Sequence, residues 1–102
     1  MIRTIDYLNK WVAQRKSFSF FLPDGPEGRP FDNQYYVQSI QDNNDTLVIR
    51  LTPDIELIFD GETQYRDDVC NLILFDFDRL RYVVAGKLKK EYLDGEFCLN
   101  GF

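Results

Sequence analysis

The chain has 102 residues, of which 44% are apolar and 16% aromatic, and its net charge is −5. This length predicts one domain, over residues 1–102, and the acidic surplus argues against nucleic acid or an anionic membrane as a partner, since both attract Lys and Arg. The chain contains no histidine, which excludes Ser/His and Cys/His nucleophile arrangements and metal sites built on histidine.

The first predicted element is an amphipathic helix. Ile5, Leu8 and Val12 recur at helical spacing, so their side chains fall on one face. We expect a helix over residues 5–15, with Thr4 as its N-cap.

Two strands flanking a loop are predicted next. Residues 17–22 alternate with a period of two, which is typical of a half-buried strand. Residues 22–33 hold three of the four prolines and therefore predict a loop. Residues 34–41 predict the second strand, although paired tyrosines blur its alternation.

A β meander is predicted in the middle of the chain. Residues 42–45 (DNND) favour a hairpin turn, because Asn and Asp tolerate positive φ and bond their own backbone. Strands are expected over residues 46–51 and 55–59, joined by three residues, with the odd-numbered apolar side chains facing inward and Glu56 outward.

Beyond the meander, residues 62–69 predict a polar loop. Residues 70–75 are apolar on both faces, so we expect a strand in the interior of the sheet. Residues 76–86 suit either a helix or a strand, and the strand is favoured.

The last predicted feature is a hairpin at Asp94-Gly95, the preferred sequence for a two-residue turn with both residues at positive φ. The final strand would carry Phe97 and Leu99 on one face and Cys98 on the other. Neither cysteine lies in a C-x-x-C pair, so reduced, packed thiols are expected.

These elements predict the α+β class. We expect an N-terminal helix packed on a strongly curled antiparallel sheet, or on a small barrel, of six to seven strands.

The loop over residues 22–33 is the leading candidate site. Arg29 lies among acidic residues, and its guanidinium can hold a carboxylate in a bidentate pair. The loop is either a structural clasp stapled by Arg29 or a binding loop with Arg29 and Phe31 as anchors. The candidate binding residues are Asp24, Glu27, Arg29, Phe31, Asp32 and Asn33.

The same stretch carries a resemblance. Residues 22–25 (LPDG) and 28–33 (GRPFDN), followed by a meander that ends at residues 57–61, resemble a group of short, uncharacterised bacterial proteins with an LPDG…GRP-[aromatic]-DN signature. The resemblance covers residues 20–77. It departs from the group at Pro26, where an aromatic is expected, and in lacking a later tryptophan-containing segment. It implies a shared β fold and loop, and it brings no activity or catalytic residue.

Other carboxylates could bind a metal or act as acid and base. Asp76 and Asp78 would share one face of a strand end, but Arg79 and Arg81 lie nearby, and a surface ion network is favoured. Residues 42–45 lack the glycine and the distant Glu of a calcium loop. No phosphate-binding glycine motif occurs, so no cofactor is expected.

Charge is segregated along the chain. Residues 17–78 hold 13 acidic and 3 basic groups, a net charge of −10, whereas residues 1–16 and 79–102 carry +3 and +2. The acidic middle is either a solvated face that keeps the protein soluble or a docking surface for a basic protein. Our first hypothesis is that the protein is a non-enzymatic protein-binding module, such as an immunity-like protein.

Two alternatives stay open. The chain could be a small carboxylate-based enzyme or metal-binding protein. A homodimer formed through exposed aromatic residues such as Trp11, Tyr35 and Tyr36 is compatible with either function. No window is apolar enough for a spanning helix, and charges interrupt any signal peptide, so a cytoplasmic location is expected.

Overall fold

The computed structural model describes residues 3–26, 35–43 and 45–102. They form an α+β fold with one N-terminal helix and two antiparallel sheets, neither closed into a barrel. The elements are α1 (Thr4–Ala13), β1 (Phe18–Leu22), β2 (Gly25–Pro26), β3 (Val37–Asn43), β4 (Thr46–Leu51), β5 (Ile55–Asp60), β6 (Gln64–Asp68), β7 (Asn71–Phe75), β8 (Arg79–Val84), β9 (Lys87–Tyr92) and β10 (Phe97–Gly101).

The two sheets share one apolar core. The first has the strand order β2-β1-β10-β7-β6, in which β2 is only a two-residue segment, and the second has the order β3-β4-β5-β8-β9. The ring of Phe20 lies 5.8 Å from that of Tyr82, and the ring of Phe59 lies 5.2 Å from that of Phe97, so aromatic contacts join the sheets. The alternating apolar side chains of both sheets therefore face each other.

The predicted count of six to seven strands and the single curled sheet were wrong. The chain crosses from the second sheet to the first after β5, returns after β7, and crosses again after β9. At each of these three crossings, two strands that are consecutive in the sequence lie in different sheets. Strand patterning shows which face of a strand is buried, but it does not show which strands pair.

The predicted meander is confirmed. β3 and β4 form a hairpin closed by the pair Asn43 and Thr46, and β4 and β5 pair along their whole length. Leu47, Ile49 and Leu51 are buried, as expected from the alternation. Asn44, within the predicted turn, lies outside the described residues.

The predicted polar loop over residues 62–69 was wrong, because it contains β6. This strand pairs with β7 from Gln64–Phe75 to Asp68–Asn71. It lies at a sheet edge, where polar side chains on both faces are compatible with pairing on one side only. The interior position predicted for the strand at residues 70–75 is confirmed, since β7 lies between β10 and β6.

The strand favoured within residues 76–86 is confirmed as β8. The hairpin predicted at Asp94-Gly95 was wrong, because β9 and β10 belong to different sheets. Gly95 has φ +104° and packs against Pro23. Two successive residues at positive φ occur instead at Ala85 and Gly86, which join β8 to β9.

The helix ends two residues earlier than predicted. Arg3 is its N-cap residue, without a side-chain cap, and the Thr4 hydroxyl instead donates to the Thr63 carbonyl at 2.6 Å. The predicted N-cap role of Thr4 was therefore wrong. The guanidinium of Arg15 lies 3.9 Å from the Trp11 ring centre and donates to the Val69 carbonyl at 2.8 Å.

The helix covers the opening between one edge of each sheet. Leu8 and Trp11 are buried in the common core. Tyr7 stacks on Tyr65 of β6, with ring centres 4.4 Å apart, and Arg3 pairs with Asp42 of β3. Since β6 and β3 are edge strands of different sheets, α1 ties the two sheets together on this side. No helix within the described ranges has the length and apolar character that a membrane crossing requires.

Replacing Val69 by glycine should stabilise the fold. Val69 is 78% exposed and has φ +55°, a conformation that β-branched residues disfavour. We expect Val69→Gly to raise the free energy of unfolding by about 1 kcal/mol, because strain is relieved and little buried area is lost. Urea denaturation with an unchanged slope would check this, and a lower midpoint would show that the side chain contributes more than its strain costs.

Candidate functional site

The predicted loop site is described only up to Pro26. Leu22 pairs with Gly25, so Pro23 and Asp24 form a tight turn between β1 and β2. Of the candidate binding residues, the structure therefore places Asp24 alone. Five lie outside the described residues, so their roles stay predictions: Glu27, Arg29, Phe31, Asp32 and Asn33.

Asp24 links the two sheets. Its carboxylate accepts a hydrogen bond from the Tyr92 hydroxyl at 2.8 Å and one from Lys90 Nζ at 3.3 Å. The Tyr92 hydroxyl, helped by Lys90, lowers the pKa of the Asp24 carboxyl. Gly95 lies against Pro23, where a Cβ would come within 2.8 Å of the proline ring. The described part of the loop is thus bonded to the second sheet through Asp24.

Replacing Tyr92 by phenylalanine should raise the pKa of Asp24 toward its ordinary value. The substitution removes the hydroxyl that favours the ionised carboxylate and keeps the ring. An NMR titration of the Asp24 side-chain carbonyl in both proteins measures this. An unchanged pKa would mean that Lys90 alone holds the carboxylate.

The structure also gathers carboxylates that come from distant parts of the sequence. The inter-sheet crossings that follow β5, β7 and β9 and the β3–β4 turn lie at one end of the two sheets. The Gly61 amide donates to the Asp45 carbonyl at 2.7 Å, and the Asp78 amide donates to the Asp60 carbonyl at 2.8 Å. We call this region the acidic end and define it by five exposed carboxylates: Asp45, Glu62, Asp76, Asp78 and Asp94.

The acidic end borders a cleft of about 370 Å³. The cleft lies between the first turn of α1, the β3–β4 hairpin and the connection from β5 to β6. Ile5, Leu47 and Tyr65 supply apolar wall, and Asp45 and Glu62 supply carboxylates. The cleft therefore combines apolar surface with negative charge.

The electrostatics of this cleft include the start of α1. The helix lacks a side-chain N-cap, so its first backbone amides present partial positive charge. Arg3 adds a full positive charge, which pairs with Asp42. The nearby Asp45 and Glu62 complement the helix dipole, but among the described residues neither carboxylate has an ion pair.

The arginines predicted to pair with Asp76 and Asp78 pair with Asp60 instead. Arg79 Nε lies 2.8 Å and Arg81 Nη2 lies 3.1 Å from the Asp60 carboxylate. Burial acts to raise the pKa of Asp60, but the two guanidiniums more than offset it, so the pKa is lowered. The predicted ion network exists with a different carboxylate at its centre, since Asp76 and Asp78 lie in the exposed connection before β8.

Asp60→Asn should destabilise the fold by about 1 kcal/mol at neutral pH, because Arg81 loses its carboxylate partner and Arg79 keeps only Glu91. The folded-state pKa of Asp60 is lowered, so its contribution is complete above an unfolded pKa of about 3.9. It should then vanish as the pH falls through the folded pKa. Denaturation of both proteins across pH 2 to 7 checks this. A difference in their free energies of unfolding that persists at pH 2 would contradict it.

The other predicted ligand groups are not assembled into a metal site. Within the described ranges, no group of three or more Cys, Asp or Glu side chains could hold a metal ion. Asp42, in the sequence considered for calcium, pairs with Arg3. Cys70 and Cys98 are free thiols, and burial, helped by Asp68 and Glu96, raises the pKa of Cys98.

Two of the three aromatic residues proposed for a dimer contact are buried. Trp11 is 3% and Tyr35 is 9% exposed, whereas Tyr36 is 58% exposed. The expectation that Trp11 and Tyr35 lie on the surface was wrong, because α1 directs Trp11 into the core and Tyr35, which pairs with Phe18, also belongs to the core.

Sequence reasoning missed Glu62 and the cleft beside it. The loop predicted at Glu62 is confirmed, but it is a short connection between the two sheets, directly after Gly61. A glycine following the last residue of a strand was a signal for a tight connection. No sequence pattern showed that this connection meets the β3–β4 turn.

Comparison of this chain with protein-family models, curated proteins and solved structures finds no match. The resemblance to the LPDG…GRP group therefore stays a prediction.

Proposed function

We propose that this protein is a non-enzymatic protein-binding module whose acidic central surface binds a basic protein partner. The observation that carries the proposal is the acidic end, where five exposed carboxylates from four connections lie at one end of the molecule and two of them, Asp45 and Glu62, line a cleft. We further propose that it acts in the cytoplasm, because its two free thiols suit a reducing compartment.

Folding cancels part of the charge segregation but leaves the acidic end uncompensated. Cations from the two ends of the chain pair with acids of the middle, as Arg3 does with Asp42 and Arg79 does with Asp60. None of the five carboxylates of the acidic end is in an ion pair within the described part of the chain. The negative field is thereby concentrated at one end of the molecule, where it attracts positive charge.

The cleft suits the side chains that a basic protein offers. Lys and Arg carry an apolar stem and a charged head. The stem would lie along Ile5, Leu47 and Tyr65, and the head would reach Glu62 or Asp45 at the rim. This geometry supports a cationic side chain in the cleft better than an apolar one, which would leave the carboxylates without partners.

Exposed charges affect mainly the association rate and the salt dependence of binding. We therefore expect binding to weaken steeply as ionic strength rises.

The test uses two charge reversals that change the net charge equally. Glu62→Lys lies at the acidic end, and the control Asp54→Lys lies in the exposed connection between β4 and β5, at the opposite end of the sheet. The wild-type chain is immobilised, partners are captured from lysate at low and at high salt, and the captured protein is then titrated against all three chains. We expect Glu62→Lys to weaken binding about tenfold and Asp54→Lys to have a much smaller effect.

Equal effects of the two reversals would place the binding surface away from the acidic end. A captured partner that is insensitive to salt, or that is itself acidic, would overturn the proposal.

A further inference from the structure

We propose that the basic partner binds by adding an extended strand to the free edge of β6. This inference rests on the proposed function and names how the partner binds. Strand addition forms backbone hydrogen bonds along a sheet edge, and charge decides which strand is accepted.

The sheet edges differ in how they are protected. β9 carries Lys87, Lys89 and Lys90, and its pairing with β8 is irregular at Lys89. Lysines and bulges on an edge strand both oppose the addition of another strand. β9 is thus guarded against strand addition.

Two further edges are short or covered. β2 has two residues, and Tyr35 pairs with Phe18 farther along β1. β3 is irregular between Val37 and Ser39 and lies beside α1. β2 offers no row of free backbone groups, and the irregularity near the start of β3 limits its regular row to residues 39–43.

α1 also approaches β6, where Tyr7 stacks on Tyr65 and its hydroxyl donates to the Asp67 carboxylate, but both contacts involve side chains of β6 and not its backbone. All five of its residues pair with β7 in regular register, and the strand contains no lysine, proline or bulge. It is therefore the edge, among the described strands, most open to another strand.

The register shows which backbone groups are free. A two-residue turn joins Asp68 to Asn71, so these residues form a hydrogen-bonded pair and the bonding alternates along the strand. Tyr65 and Asp67 then direct their N–H and C=O groups away from β7. In the described part of the chain, no backbone hydrogen bond joins either residue to another segment.

The charge of β6 selects a basic strand. Asp67 and Asp68 are exposed and have no ion pair among the described residues, whereas Arg66 is held by Glu96 at 3.3 Å. The start of β6 lies next to Glu62 and the cleft. A basic strand on β6 would therefore continue directly from the acidic end.

A second copy of this chain fits the edge less well. Antiparallel pairing of two β6 strands about their midpoint would set Arg66 opposite its own copy, and like charges directly opposite each other are destabilising. We therefore commit to a strand of a basic protein.

The probe is a capped hexapeptide of alternating lysine and valine. Its binding is monitored in ¹H–¹⁵N NMR spectra of the full chain. Two control peptides are used: one replaces lysine by glutamate, and the other carries N-methyl groups that block pairing. We expect only the unmodified basic peptide to slow amide hydrogen exchange at Tyr65 and Asp67.

Two variants of Asp67 distinguish the contribution of the backbone N–H to peptide binding from that of the carboxylate. Asp67→Asn and Asp67→Pro both lose the carboxylate, but only proline loses the outward N–H. Proline is tolerated where an edge N–H faces solvent, and unchanged spectra away from β6 would show that the fold is kept. We expect Asp67→Pro to bind the peptide at least about tenfold more weakly than Asp67→Asn.

The outcomes distinguish the two proposals. If the basic peptide binds but protects other amides, or if the N-methylated peptide binds equally well, the strand-addition proposal fails and the proposed function stands. If no basic peptide binds, both fail. If the chain self-associates in sedimentation and Asp67→Pro abolishes this, the strand that pairs with β6 belongs to a second copy of this chain. The proposal that a basic protein supplies the strand is then overturned.

Discussion

The apolar contact between the inner faces of the two sheets is the interaction on which the rest of this structure depends. Each sheet buries one face, so the interior strands β5, β7, β8 and β10 alternate buried and more exposed side chains, and Phe97 contacts Phe20 and Phe59 in the core. Because the strands of each sheet come from separate parts of the sequence, the chain must cross between the sheets. These crossings have to leave the core and enter water, which favours short, polar connections. The acidic end is thus a direct result of how the sheets are joined.

Much of the fold could be predicted from local patterns. The β3–β4–β5 meander was predictable because its pairings are local, its turn chemistry is specific and its alternation is clean. The class of fold and the position of the helix followed from periodicity in the same way. Strands with one apolar face, such as β10, were recognisable for the same reason, since Phe97 and Leu99 alternate with Cys98 and Asn100.

The remaining features depend on contacts that sequence patterns do not encode. β6 has a polar residue at four of its five positions, so only its pairing with β7 identifies it as a strand. Asp94-Gly95 has strong hairpin chemistry, yet the packing of Gly95 against Pro23 places it in a crossing. The candidate site shows the same limit: the composition of residues 22–33 indicated a loop, but the neighbours of Asp24 and Glu62 come from other sheets and turns.

The pairing of β1 with β10 has a consequence for how the protein is made. Phe18 of β1 lies opposite Gly101 of β10, so the inner edge of β1 has no partner until β10 has been synthesised. The second sheet needs only β3 to β9, and its central meander has short loops that close quickly. During synthesis the meander can form before β10 has been made. The first sheet is completed only after β10 has emerged from the ribosome. Until then β1 lacks this partner strand, so Phe18, Phe20 and Leu22 are exposed for longer during synthesis than the apolar residues of the meander.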